Sequence, residues 1–175
     1  VIANVPDIEF EDEAQKQDII GQAKFLRALY YFNLVVMFEN IPLVLEPTGP
    51  NDRPEQKTAA EVWAQIKQDL TDAEAVLPPT RPDEELGKPT RGAALALLGK
   101  AHMQTYDWQA ARDAMEWLVE GAGAQYYGLM DNYKDNFKHT TENNRESVFE
   151  IQITDANKGP AGDYTPNPNL GSNRA

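Results

Sequence analysis

The stretch Gln22–Asn40, QAKFLRALYYFNLVVMFEN, decides the fold. Between Phe25 and Phe38 only Arg27 and Asn33 are polar. Phe25, Leu29, Phe32 and Val36 recur at helical spacing, and Leu26, Tyr30, Leu34 and Met37 occupy most of the remaining circumference. A helix apolar nearly all round belongs in a core or in a membrane. The run is shorter than the roughly 20 residues of a bilayer span, and Lys24 and Arg27 stand beside and within it. It therefore reads as a central helix packed on more than one side. As such it is expected to be the most buried element, where Leu29→Ala costs about 2–5 kcal/mol. Arg27 is expected to meet a carboxylate or to carry its tip to the surface. Asn40 and Pro42 end the helix, because proline cannot continue the hydrogen-bond ladder and pushes Ile41 into extended geometry.

Working outward, Val1–Phe10 has no helical stripe, contains Pro6, and reads as an extended lead-in. The acidic segment Glu11–Asp18 opens the long helix, where carboxylates complement the positive end of its dipole. After the helix, Ile41–Leu45 reads as extended and Glu46–Gln56 as a proline-rich loop. Thr58-Ala-Ala-Glu61 is a capping box that starts a second helix. Val62, Ile66, Leu70, Ala73 and Leu77 then make one apolar stripe, and Pro78-Pro79 stops it. A third helix, Arg91–Thr105, is rich in Ala and Leu and follows Pro89-Thr90. Asp107 caps a fourth, Trp108–Glu120, with Ala111, Ala114, Met115 and Leu118 on its inner face. Beyond it a short helical turn is expected near Asn132–Asn136, and the alternation in Ser147–Ile153 reads as a strand. Thr154–Ala175 has no periodicity and reads as a long loop.

The third and fourth helices fit the tetratricopeptide pattern. Leu95, Leu98, Gly99 and His102 fall on its first positions, and Ala111 and Met115 on the next two. Glycine and alanine on facing helices allow close approach. Gly123 stands where the repeat has proline. The first two helices resemble the same unit with a longer connection, Pro78 being its terminal proline. The fold class that follows is all-α: a tetratricopeptide-like superhelix of two antiparallel pairs, roughly 12–39 with 58–77 and 90–105 with 108–120. One short strand and a long C-terminal loop complete it.

These blocks also carry a resemblance. Ala23–Asn33 followed by Asn40-Ile-Pro-Leu-Val44 is similar to the signature helix and exit of the SusD/RagB family of nutrient-binding outer-membrane lipoproteins. Glu61–Ile66 with Leu70, Ala73 and Leu77-Pro78, then Gly87–Leu98, Tyr127-Gly-Leu129 and Glu146–Gln152 follow in the same order. The resemblance covers nearly all of residues 9–153. It implies a helical scaffold that packs against a TonB-dependent outer-membrane transporter and carries loops for oligosaccharides or other nutrients. It also implies a surface-facing lipoprotein at the outer membrane. Family members are several times longer than a single repeat pair and bear a lipidated cysteine at the mature N-terminus, so this chain, which has no cysteine, is expected to be an internal piece. Residues 1–153 are then an incomplete SusD-like helical domain, and 154–175 a truncated loop.

Composition bounds the function. The formal net charge of -12 argues against nucleic acid and against charge-driven adhesion to anionic lipid. Without cysteine there is no disulfide or thiolate metal site. No catalytic residue, metal ligand or cofactor is expected. His102 lies at a repeat packing position, and His139 in a polar loop without a catalytic partner. Asp131 and Asp135 match a calcium loop only loosely, with Tyr133 between them. Trp63, Trp108, Trp117, Tyr126 and Tyr127 are read first as packing residues. Their other reading is as faces for sugar rings, and Trp63 points off its helix's stripe. Ligand-binding residues cannot be named from the sequence. The functional expectation is a non-catalytic glycan-binding component whose site lies mostly elsewhere, so that this chain binds oligosaccharides weakly or not at all. The alternative is a free-standing tetratricopeptide module that binds a peptide.

Overall fold

The computed structural model describes residues 1–152, apart from the side chain of His139. The expected loop at 154–175 lies outside the described residues. Four α-helices run α1 (Glu13–Phe38), α2 (Ala59–Val76), α3 (Arg91–Gln104) and α4 (Trp108–Val119). Each begins at a side-chain cap. Asp12 accepts from the Ala14 amide, Thr58 from Glu61, Thr90 from Ala93 and Asp107 from Ala110. The capping box is complete, because Glu61 also receives the Thr58 amide. The lead-in departs from its extended reading by one short 3-10 turn at Val5–Asp7.

Consecutive helices are neighbours, so the four form one row: α1 on α2, α2 on α3, α3 on α4. Pairing directions are antiparallel. Lys24 meets Asp72 while Arg27 meets Asp69, and Glu74 meets Arg91 while Lys67 meets Thr105. The α2 stripe sits at the centre: Val62, Ile66, Leu70 and Ala73 are 0% exposed and Leu77 is 4%. Against it lie Phe25, Ala28 and Val35 of α1 and Ala93, Ala94, Leu98 and Ala101 of α3. The second pair closes as the repeat spacing requires. A Cβ on Gly99 would stand 2.7 Å from Met115 side-chain atoms and 3.3 Å from the Ala111 carbonyl oxygen. Only glycine lets these helices come this close.

Two expectations are corrected. Helix α1 is not the most buried element. Phe25, Ala28 and Val35 are buried and Leu29 packs half-buried on the core. Leu26, Tyr30, Leu34, Val36, Met37 and Phe38 are exposed. The helix stands at the end of the row and, among the described residues, has a helix neighbour on one side, so much of its apolar circumference faces outward. Nor is Ser147–Gln152 a strand. Phe149 tucks its ring edge-on against Phe25 at 5.0 Å, but among the described residues no segment pairs with it as a ladder, and Ile151 is exposed. The strands among the described residues are β1 (Ile41–Pro42) and β2 (Gln56–Lys57), paired antiparallel. They clip the two ends of the connection between α1 and α2. Tyr31 holds the same connection, its hydroxyl accepting from the Val44 amide at 2.7 Å.

Candidate functional site

Buried and half-buried charges go first into holding helices together. Arg27 donates from Nε and Nη2 to the two carboxylate oxygens of Asp69, each at 2.7 Å. Asp69 is 1% exposed and also accepts from Gln65. This bidentate bond holds the Arg27 guanidinium above its ordinary pKa against the opposing effect of burial. The expected carboxylate partner is thus found, on the facing helix. Lys24 reaches Asp72 at 2.6 Å. Burial raises the Asp72 carboxyl, but the Lys24 and Gln68 hydrogen bonds outweigh it and hold its pKa below the usual range. Arg81 ties Asp18 of α1 to Glu85 and to the Pro89 carbonyl.

A cleft of about 350 Å³ lies between residues 79–90 and 126–150. Tyr126, Arg81, Lys88, Asn143, Arg145 and Glu150 line it. Most of its polar groups are already engaged. Asn143 exchanges side-chain hydrogen bonds with Gln152 and donates its amide to Glu150. Asn144 accepts from the Glu146 amide and donates to the Thr141 carbonyl. Tyr127 shares a 2.8 Å hydrogen bond with Thr90 and covers Gly92, where a Cβ would fall 2.4 Å from its ring. Burial pushes the Tyr127 hydroxyl up. The cleft is a knitted seam rather than a set of converging free groups.

A second, more apolar groove of about 470 Å³ runs along the outer face of α1. Leu26, Leu29, Tyr30 and Asn33 form one wall, with Leu86, Phe149 and Ile151 opposite. With exposed Leu34 and Met37 it makes a continuous apolar surface along α1.

His102 is half-buried, with Nδ1 3.3 Å from Asp107 Oδ2. Burial lowers its pKa, helped by the Lys67 charge and opposed by Asp107. The nearby Thr105 hydroxyl donates to backbone carbonyls and accepts from Lys67, so it is not presented to the imidazole. Asp131 is exposed, and Asp135 is paired with Lys138. Among the described residues no three His, Asp or Glu side chains gather as a metal site. Trp63 is half-buried, edge-on to Phe32 at 5.2 Å. Trp117 packs against Tyr127 and under the Arg91 guanidinium. Trp108 departs from its packing reading. It is 59% exposed beside Tyr106, which is 79% exposed and which sequence reasoning missed. The signal available was the Thr105-Tyr106-Asp107 turn between two helices, with no glycine in it.

Comparison with known proteins gives a consistent result. Residues 4–103 match the model of a SusD-like family described as "Starch-binding associating with outer membrane". The chain is 28% identical over 158 residues to SusD-like protein P25 of Formosa agariphila, covering 87% of this chain and 29% of that protein. Among solved structures, a laminarin-binding SusD-like protein superposes with TM-score 0.78 at 35% identity, over 85% of this chain and 33% of that one. A SusD-like carbohydrate-binding protein from Bacteroides fragilis superposes with TM-score 0.79 at 27% identity, over 87% and 30%. The chain thus spans about a third of the length of the relatives it matches. Among the described residues no helix is long and apolar enough to cross a membrane.

Proposed function

Because this chain belongs to the SusD-like family, we propose that the whole protein is a non-catalytic glycan-binding component of an outer-membrane uptake system and works with a TonB-dependent transporter. The chain itself is the helical scaffold of that protein. The observation that carries this reading is where the polar chemistry goes. Arg27, Lys24, Arg81 and Arg91 are committed to pairs that lock one helix or loop to the next. The cleft between residues 79–90 and 126–150 is closed in the same way by its own hydrogen bonds. A rigid row of helices with its charges spent on rigidity suits a platform better than a reaction site.

The domain division follows. On this reading residues 1–153 are the incomplete scaffold domain, and 154–175, which lie outside the described residues, are a separate segment. We assign the outer face of α1 to packing by the portion of the protein that extends beyond this chain's match to its relatives. A row of Leu26, Tyr30, Leu34 and Met37 is costly to leave in water and suits an intramolecular neighbour.

The test uses the whole protein. It is expected to bind starch-type or laminarin-type glycans and to leave their chain length unchanged on prolonged incubation. It is also expected to co-purify from detergent-solubilised outer membranes with a TonB-dependent transporter. Release of reducing ends from any of these glycans would overturn the non-catalytic reading. A whole protein purified free of any transporter, under conditions that keep other membrane complexes intact, would overturn the partnership.

A further inference from the structure

We infer that the turn between α3 and α4 is a sugar-stacking platform, on which Tyr106 and Trp108 take pyranose rings of a neutral glycan chain. The inference rests on the glycan-binding reading above for its ligand class, but it concerns a different part of the surface.

Helix α3 ends in a Schellman motif. The Tyr106 amide donates to the Met103 carbonyl and the Asp107 amide to the His102 carbonyl. The residue between them must take the left-handed conformation, and Tyr106 does so at φ 59°. Glycine is the default there, because a side chain in that region is strained. Here a bulky aromatic occupies the position, and its ring makes no core contact that would offset the strain, being 79% exposed. Strain kept at an exposed side chain points to a use for that side chain.

The second ring is two residues on. Trp108 is 59% exposed, with its ring centroid 6.0 Å from that of Tyr106 and the planes inclined at 71°. The inclined rings make an open corner. The C–H face of a pyranose packs on the electron-rich face of one ring while the other flanks its edge. Exposed Gln104 lies beside the rings in sequence and supplies a partner for ring hydroxyls, while Asp107 and Gln109, already bonded to Ala110 and Asp113, keep further acceptor capacity. The net charge of -12 selects against uronic or sulfated glycans and leaves neutral ones. Such a surface differs from the outer face of α1, which is broad and aliphatic. It also differs from the other exposed ring pair, Tyr133 and Phe137, which meet at 5.2 Å within a single 3-10 turn and need no left-handed residue. That pair is the internal control.

Native gels cast with laminarin, soluble starch or no polysaccharide test the platform, run with this 175-residue chain and with the whole protein. The expected result is retardation of the chain by at least one neutral glycan. Trp108→Ala should abolish it, Trp108→Phe should keep part of it, and Phe137→Ala should leave it unchanged. Tyr106→Gly separates binding from folding: it relieves the strain, so the melting temperature holds or rises while retardation falls. Retardation that survives both Trp108→Ala and Tyr106→Gly overturns the platform. So does a chain that runs freely in glycan gels that retard the whole protein, a result that leaves the glycan-binding reading standing. A whole protein retarded by no glycan overturns that reading and the platform with it.

Discussion

Helices α1 and α3 differ in what they carry and in where they stand. Helix α1 is built of Phe, Leu, Tyr, Val and Met, while α3 is built of Ala, Gly and Leu. On side-chain transfer energy α1 has far more to gain from burial. Yet Gly92, Ala93, Ala94, Leu95, Leu98, Gly99 and Ala101 of α3 are buried, while α1 leaves Tyr30, Met37 and Phe38 more than half exposed. The reason is position in the row. Helix α3 has a neighbour on both sides, and small residues let both approach. Among the described residues, helix α1 has α2 on one side and only the short segments around Leu86 and Phe149 on the other. Burial is set by the number of packed neighbours, and apolarity that exceeds them reports a surface meant for something else.

The largest expected effect lies on the face of α1 that is packed. Asp69→Ala leaves the Arg27 guanidinium unpaired in a half-buried position and should cost about 3–5 kcal/mol in urea unfolding. A loss under about 1 kcal/mol would mean that water already screens the pair. Next comes the centre of the row against the outer face. Leu70→Ala should cost about 2–5 kcal/mol. Met37→Ala, at 72% exposure, should stay within about 0.5 kcal/mol. Equal losses at the two sites would break the comparison. The close approach of α3 and α4 can be tested with Gly99→Ala. Crowding against Met115 and the Ala111 carbonyl should cost about 1–3 kcal/mol, offset by up to about 1 kcal/mol of helix propensity. Adding Met115→Ala should recover part of the loss.

Smaller effects belong to the helix ends. Thr58→Ala should cost about 1 kcal/mol by removing the cap of α2. The Thr58 amide and hydroxyl hold the Glu61 carboxyl below its usual pKa. That contribution is present above the ordinary carboxylate value and is lost as pH falls through the folded one. The difference between wild type and Glu61→Gln should therefore shrink in acid. Smallest of all is His102, whose pKa burial depresses below the ordinary 6.5. Its neutral form is favoured in the fold, so stability falls as pH drops below that value. His102→Gln should flatten this part of the stability–pH profile.

The sequence made some of this legible and hid the rest for identifiable reasons. The stripe from Val62 to Leu77, the Thr58–Glu61 box, the Asp107 cap and the Gly99–Ala111 contact depend on local spacing, and all appear as read. Helix α1 was legible as a helix but not as an outer one, because its apolar circumference says what it can bury and not what is there to cover it. Ser147–Gln152 alternates like a strand, but a strand also needs a partner, and the partner is not local. Arg27 called for a carboxylate, and only the antiparallel register of α1 and α2 identifies Asp69. The ring pair at Tyr106 and Trp108 was hidden because Trp108 occupies a helix position where packing is the ordinary expectation.

The two pairs are also closed by very unequal loops. Three residues join α3 to α4, and twenty join α1 to α2. Loop-closure entropy alone makes the longer closure costlier by about 1.7 kcal/mol. The β1–β2 clip and the Tyr31–Val44 hydrogen bonds are then the contacts that offset it, once the ends have met. Folding is expected to start at the α3–α4 hairpin and to add α2 before α1. On that order α1, with its bare outer face, is the last helix to dock and the first to leave. Amide exchange should grade along the row, fastest in α1, and the element richest in large apolar side chains would be the most dynamic of the four.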